Sequence, residues 1–277
     1  MSATPQDHQA QQILSPSLRL VDGISASLMS EEPPCRAAHQ PGNGLNTRLA
    51  GGHRFVPAGV ELYCEGDEGG DLYVVIEGWM FQYQILSDGR RQILDFAQPG
   101  SVLGFVSPPD STLSHTAESL TGATVVVIPR ERLLELCKSD PEFSIHLMSV
   151  AAESLNLAYE SITDVGRRTA REAVAHLLLR LHARIRAQCP RGTDDSVMIP
   201  LTQEHIGDAL GLTAVHVCRT LRRLRQDGIL SLSNGMLVVL DLEGLRAVSG
   251  AHRASELGGA DKGSTGRARD RGVKLAS

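Results

Sequence analysis

The stretch LTQEHIGDALGLTAVHVCRTLRRLRQDGILSLSNGMLVVLD, residues 201–241, leaves little freedom of local structure. Thr202 can cap a short helix through Leu210, with Glu204 in its positive first turn. Gly211-Leu212 forms a turn, and Thr213 can cap a second helix to about Gln226. Asp227-Gly228 stops it. Ile206, Ala209, Leu210, Leu212, Val217, Leu221 and Leu224 fall where the two helices would share a core. Two short helices around a Gly-containing turn make a helix-turn-helix. The runs ILSL and MLVVL then flank Asn234-Gly235, a strong hairpin signal. That hairpin reads as a wing.

This arrangement carries a chemistry. A second helix of this kind lies in the major groove with its N-terminal residues at base edges. Those residues are Ala214, Val215 and His216, with Arg219 and Thr220 one turn on. Arg219 can give two hydrogen bonds to guanine O6 and N7. Arg222, Arg223 and Arg225 extend the positive charge, so four Arg fall within seven residues. Thr202, Gln203 and Thr213 complete the candidate contacts to DNA. The bland alternative is an exposed helix with ordinary Arg, and the turn, caps and wing weigh against it. Cys218 adjoins Arg219 near a helix N-terminus, a setting that can activate a thiol. It is a candidate redox switch, set against the plainer role of a small packing residue.

Bulk charge alone would not suggest this function. The chain holds 27 Lys and Arg against 32 Asp and Glu, a net charge of −5. DNA affinity depends on local cation clusters, because each neutralised phosphate releases counterions. The N-terminus, MSATPQDHQAQQ, has no basic region followed by an apolar one, and no apolar run approaches the ~20 residues of a membrane span. The protein is expected to stay in the cytoplasm, with no membrane partner. Its five cysteines (Cys35, Cys64, Cys137, Cys189, Cys218) lack metal-type spacing and read as free thiols. Cys64, inside a strand-like run, reads as core, and no metal site is expected.

The rest of the chain divides into segments. Residues 1–46 read as mostly disordered, with a short helix near Gln11–Leu20. Residues 47–136 carry short apolar runs punctuated by Gly and Pro. Leu72, Val74 and Ile76 alternate, as do Trp79, Phe81, Tyr83 and Ile85, and Asp88-Gly89 suits a tight hairpin. Gly59, Gly78, Gly100 and Gly104 mark further turns, and ATVVVI forms a last strand ending at Pro129. The spacing predicts a small antiparallel β-roll. Residues 137–167 form a long helix, capped at Asp140-Pro141. Its apolar positions Met148, Ala151, Leu155, Ala158, Ile162 and Val165 step by 3, 4, 3, 4, 3. That is the seam of a two-stranded helix pair, although a helix packed on its own domain uses similar spacing. Residues 168–250 hold the winged helix-turn-helix, entered by a helix over about Arg168–Ala187. Its Val174, Leu177, Leu178, Leu181 and Ile185 share a face. Arg167, Arg168, Arg171, Arg180, Arg184 and Arg186 lie elsewhere and read mainly as solvated. Residues 251–277 read as a disordered tail.

With these residues in view, the chain resembles the Crp/Fnr family of bacterial regulators, particularly its FixK/Fnr-like members. The resemblance covers about residues 47–249. It rests on EGDEGGDLYVVIEG, SDGRRQILDFAQPGSVLGF, the long helix and LTQEHIGDALGLTAVHVCRTLRRLRQDGIL. It implies an α+β chain: a cyclic-nucleotide-binding-like β-roll (jelly roll), a dimerisation helix and a C-terminal winged helix-turn-helix. It also implies a homodimer on a palindromic double-stranded DNA operator, in contact with RNA polymerase.

The departures are informative. In cAMP-binding members a Gly-Glu pair and an Arg with a small hydroxyl residue clamp the nucleotide. Here those places read Gly104-Phe105 and His115-Thr116. A neutral His is a poor phosphate partner beside a guanidinium, so cAMP binding is not expected. Iron–sulfur members use four cysteines, and Cys35 stands alone near this N-terminus. No iron–sulfur cluster or other cofactor is expected. Many relatives carry Glu two residues after the Thr of the turn, where Val215 stands here. Valine cannot accept a hydrogen bond but can pack on a thymine methyl. The alternative function is a regulator gated by a cyclic nucleotide or another small ligand in the β-roll. Enzyme motifs such as a P-loop, HExxH or GxSxG are absent from the sequence, so no catalytic residue is assigned.

Overall fold

The computed structural model describes residues 52–105, 111–188 and 196–250. The expected lead-in over 1–46, its helix near Gln11–Leu20 and the tail over 251–277 lie outside the described residues.

Eight strands build the first unit: β1 (His53–Val56), β2 (Glu61–Tyr63), β3 (Leu72–Glu77), β4 (Met80–Ile85), β5 (Arg91–Ala97), β6 (Val102–Leu103), β7 (Thr116–Ser119) and β8 (Ala123–Ile128). They form two four-stranded sheets, ordered β1-β8-β3-β6 and β2-β7-β4-β5. Val56, Leu62, Val75, Met80, Ala97 and Val125 join the buried core inside the roll. The expected alternation along β3 is only half the pattern. Leu72 and Val74 pack toward helices, while Val75 is also fully buried, toward the roll interior. A strand covered on both faces loses strict alternation.

Two helices follow, α1 (Arg130–Ser139) and α2 (Pro141–Gly166). The sequence reading missed α1, and Cys137 belongs to it rather than to the long helix. The long helix starts at Pro141 because Asp140 caps it: its carboxylate accepts from the backbone N–H of Glu142 and Phe143 at 3.0 and 3.2 Å. Helix α2 carries two apolar stripes. The inner one, with Phe143, Leu147 and Val150, packs on the roll. The outer one holds Met148, Ala151, Leu155, Ala158, Ile162 and Val165, all exposed. Packing on the chain's own domain is therefore carried by residues other than the seam.

The second unit contains α3 (Ala170–Gln188), β9 (Ser196–Met198), α4 (Gln203–Leu210), α5 (Ala214–Gln226), β10 (Leu230–Ser233), β11 (Met236–Val239) and α6 (Leu242–Ser249). The wing is a three-stranded sheet ordered β10-β11-β9. Neither β9 nor α6 was read from the sequence. The two units share one core. Phe81, Tyr83, Ile93 and Phe96 of the roll cluster with α3 and with Ile206 and Leu210 of α4.

Several Arg assigned to a solvated face instead tie the units together. The guanidinium of Arg180 donates to the Leu157 carbonyl and the Ser161 hydroxyl, both at 3.2 Å. Arg184 donates to the Phe96 carbonyl at 3.1 Å and to the Ser101 hydroxyl at 3.0 Å. At the bend between α2 and α3, the Asp164 carboxylate is 1% exposed and pairs with Arg168. The Nδ1 of His176 lies 2.9 Å from the same carboxylate. Removing one member of a buried ionic cluster strands the others, a loss of about 3–5 kcal/mol. Asp164→Ala is expected to lower unfolding stability by about that amount, read from urea titrations. A change under about 1 kcal/mol would show that the cluster contributes little.

Candidate nucleic-acid interface

The helix-turn-helix is fixed by local chemistry at each joint. The Thr202 hydroxyl accepts from the His205 backbone N–H at 3.1 Å, and the Thr202 N–H donates to His205 Nδ1 at 3.3 Å. The two bonds form a capping box at the start of α4. Gly211 ends α4 at φ +66°, a left-handed conformation that suits glycine. The turn folds back tightly: a Cβ on Gly207 would lie 2.5 Å from the Leu212 carbonyl oxygen. The Thr213 hydroxyl caps α5, accepting from the His216 N–H at 3.3 Å. Asn234 and Gly235 both have positive φ, 51° and 75°, as a tight hairpin requires.

The core face of α5 is Val217, Leu221 and Leu224, all buried. Ala214, Val215, His216, Arg219, Arg222, Arg223 and Arg225 are exposed to solvent, with Val215 and Arg219 on the side opposite that core. Val215 is 61% exposed. Among the described residues, none of these four guanidinium groups is held in an ion pair. Thr202 and Gln203 are exposed and line an open cleft of about 560 Å³ with Ser233 and Asn234 of the wing. Backbone N–H groups at a helix start beside such a cleft suit a phosphate. Thr213 is exposed as well.

Two assignments need correction. Thr220 does not face the groove: it is 5% exposed, and its hydroxyl donates to the His216 carbonyl at 3.0 Å. Its helical phase places it beside Val217 and Leu224, on the core side. Cys64 is not core: it lies just beyond β2, half-buried, and its thiol donates to Glu61 at 3.1 Å. That hydrogen bond, before burial, pushes its pKa up to about 11. Cys218 is half-buried on the flank of α5.

No local pattern in the sequence announces how the roll grips α4. Arg91 of β5 pairs with Asp208 of α4 at 2.9 Å. Its guanidinium also lies over the Phe81 ring, 5.3 Å from the centroid. Gln92 donates to the Ala209 carbonyl at 3.2 Å. The His205 ring lies 5.6 Å from that of Phe81. The capping imidazole is therefore also part of the contact between units.

Around His115, one of the positions compared above with a nucleotide clamp, side chains of the roll pack on one another. Tyr63 is buried, 5.6 Å between ring centroids from Tyr73 and 5.7 Å from His115. Its hydroxyl hydrogen-bonds with His115 Nε2 at 3.0 Å and accepts from Gln82 at 3.3 Å. Burial, the leading cause, pushes the Tyr63 pKa up to about 12 and draws that of His115 below its ordinary value. The Thr116 hydroxyl accepts from the Glu65 N–H. Burial disfavours the charged form of His115, which therefore offers a cyclic phosphate no fixed positive charge.

Comparison with known proteins follows the same two units. Residues 53–140 match the cyclic nucleotide-binding domain family, and residues 172–248 the Crp-like helix-turn-helix domain family. Over 204 residues the chain is 32% identical to the transcriptional activatory protein AadR of Rhodopseudomonas palustris, covering 74% of this chain and 83% of AadR. The chain belongs to the Crp/Fnr family. It is a Crp/Fnr-type transcription regulator with a DNA-binding helix-turn-helix. Within the family it is 31% identical to the nitrogen fixation regulation protein FixK of Bradyrhizobium diazoefficiens, covering 70% of this chain and 80% of that one. The structure of FixK2 from Bradyrhizobium japonicum superposes with a TM-score of 0.66 at 30% identity. The match covers 74% of this chain and all of that one. Among the described residues no helix is long and apolar enough to cross a membrane.

The capping role of His205 needs a neutral imidazole, since Nδ1 accepts a hydrogen bond. Burial, then Arg91, draws its pKa below 6.5, against the pull of Asp208 and Glu204. The unfolded chain therefore takes up this proton first. The stability it contributes is complete above pH 6.5 and is lost as pH falls below that value. His205→Gln keeps a side-chain acceptor and removes the titration. The variant is expected to flatten the stability profile below pH 6.5. An unchanged slope would show that His205 does not govern it.

Proposed function

We propose that this chain binds a two-fold symmetric operator as a homodimer, with α5 in the major groove, and does so without a cyclic nucleotide. The observation that carries the reading is the division of labour on α2. One stripe serves the chain's own roll, and the other, a regular heptad seam, stays exposed in the described part of the chain. Two such seams pack together when water is excluded from them. The paired recognition helices would then meet successive major-groove faces about 34 Å apart. Contact with RNA polymerase, action in the cytoplasm and regulation by binding rather than catalysis belong to the same proposal. The cyclic nucleotide is left out because Tyr63, Tyr73 and His115 occupy the roll interior.

A second reading, gating by another small ligand, draws on one observation. A cavity of about 360 Å³ lies between the roll, α2 and α3, lined in part by Gln82, Leu94, Leu103, Leu157 and Arg184. Operator binding by purified, ligand-free, reduced protein separates the readings. Enrichment of a palindrome from a random duplex library favours the first, and no enrichment favours the second.

Leu155→Glu and Ile162→Glu are expected to yield monomers by sedimentation and to lose operator binding together. Monomers that keep full operator affinity would contradict the dimer. Arg219→Ala is expected to cost about 1–3 kcal/mol of specific binding, with relaxed preference at one base pair. Cys218 enters as a redox position, where oxidation would add bulk beside Arg219. Equal loss of binding in peroxide-treated wild type and Cys218→Ser would remove it from that role.

A further inference from the structure

We infer that Arg91 and Gln92 of the roll are positioning residues for operator binding: they set the rotation of α4 and, through it, the pose of α5. The inference rests on the operator-binding reading above and assigns part of that activity to side chains outside the helix-turn-helix.

Helix α4 makes contact on two sides. Ile206 and Leu210 are buried in the shared core. His205, Asp208 and Ala209 are half-buried, and their spacing of three and four residues puts them on a common side. Each of the three meets β4 or β5. The His205 ring lies 5.6 Å from that of Phe81. The Asp208 carboxylate accepts from Nε of Arg91 at 2.9 Å, and the Ala209 carbonyl accepts from Gln92 at 3.2 Å. The Arg91 guanidinium is steadied in turn by the rings of Phe81 and Tyr83, 5.3 and 5.8 Å from their centroids.

These polar contacts do what the apolar core cannot. Apolar burial resists separation of the units but is non-directional, so it opposes rotation weakly. Hydrogen bonds are directional and weaken steeply once the donor angle falls below about 120°. Two of them join neighbouring residues of one strand to neighbouring residues of one helix, which fixes how α4 is turned about its axis. The turn passes that setting on with little slack, since a Cβ on Gly207 would lie 2.5 Å from the Leu212 carbonyl oxygen. Helix α5 therefore follows α4. A homodimer needs this setting in both copies, because its two α5 helices must meet groove faces about 34 Å apart. The side chains of Arg91 and Asp208 are 26% and 24% exposed, and ion pairs open to water add little to unfolding stability. Their effect falls on orientation.

The test uses the full chain and the site it selects from a random duplex library. Kd is read by fluorescence anisotropy for that site and for a scrambled duplex. Arg91→Ala and Gln92→Glu, which turns a donor into an acceptor, are expected to weaken the selected site about three- to thirtyfold. The scrambled duplex, held by phosphate contacts alone, should bind nearly as before. Asp208→Asn keeps the shape and releases Arg91 from its carboxylate. A positioning pair then gives weaker operator binding, whereas an Arg91 that merely attracts phosphate gives tighter binding. The double variant of Arg91→Ala with Asp208→Asn should lose no more than the worse single one, as two members of one contact do. Circular dichroism and sedimentation check that each variant keeps the wild-type fold and assembly state, and Asp208→Asn carries the test should Arg91→Ala not fold. Wild-type operator affinity in the variants overturns the inference. So do tighter binding by Asp208→Asn, additive losses in the double variant, or equal losses on both duplexes. A wild-type chain that selects no site overturns the operator-binding reading itself, and this inference with it.

Discussion

The joint between α2 and α3 depends on a carboxylate held out of water. Asp164 stands in the last turn of α2, where the negative end of the helix dipole disfavours it. It is tolerated there because Arg168 and His176 surround it. Those partners belong to the turn and to α3, so satisfying the charge fixes the direction in which the chain leaves α2. The seam lies on α2 and the recognition helix is carried beyond α3. One buried cluster thus relates the surface that would pair two chains to the surface that would read DNA.

A second constraint ties the same DNA-reading unit to the roll. Phe81 and Tyr83 face away from the roll interior and join the core that holds α3 and α4. Arg91 covers both rings and reaches Asp208. The roll is therefore a wall of the helix-turn-helix core as well as a barrel of its own. Any rearrangement of β4 and β5 reaches α4 through direct contact, because packed interiors transmit displacement rather than absorb it.

The parts legible in the sequence were those decided within a few residues. Thr202, Thr213, Gly211 and Asn234-Gly235 each impose a local conformation, so the helix-turn-helix and wing hairpin could be read in order. The heptad step along α2 and the Asp140-Pro141 start were legible for the same reason. What stayed hidden depends on distant partners. Arg91 and Asp208 are 117 positions apart, and no periodicity announces such a pair. Arg180 and Arg184 looked solvated because charge predicts exposure on average, and here their carbonyl and hydroxyl partners come from α2 and the roll. Strand β9 is three residues long and exists because β11 offers it an edge. Thr220 is legible by phase rather than by residue type: Val217 and Leu224, three and four residues away, mark its side of α5 as core.

The guanidinium groups on α5, none of them in an ion pair among the described residues, have a consequence for how the molecule meets its target. The chain carries five more negative than positive charges, yet it sets four exposed Arg along one recognition helix. A body of this kind behaves as an oriented dipole in the field of a polyanion. Approaches that bring acidic surface toward the phosphates are repelled, and the rotation that lowers the energy turns α5 toward the groove before contact. Such a chain sorts its collisions by angle, and salt, by shortening the reach of that field, blurs the sorting before it abolishes the contacts.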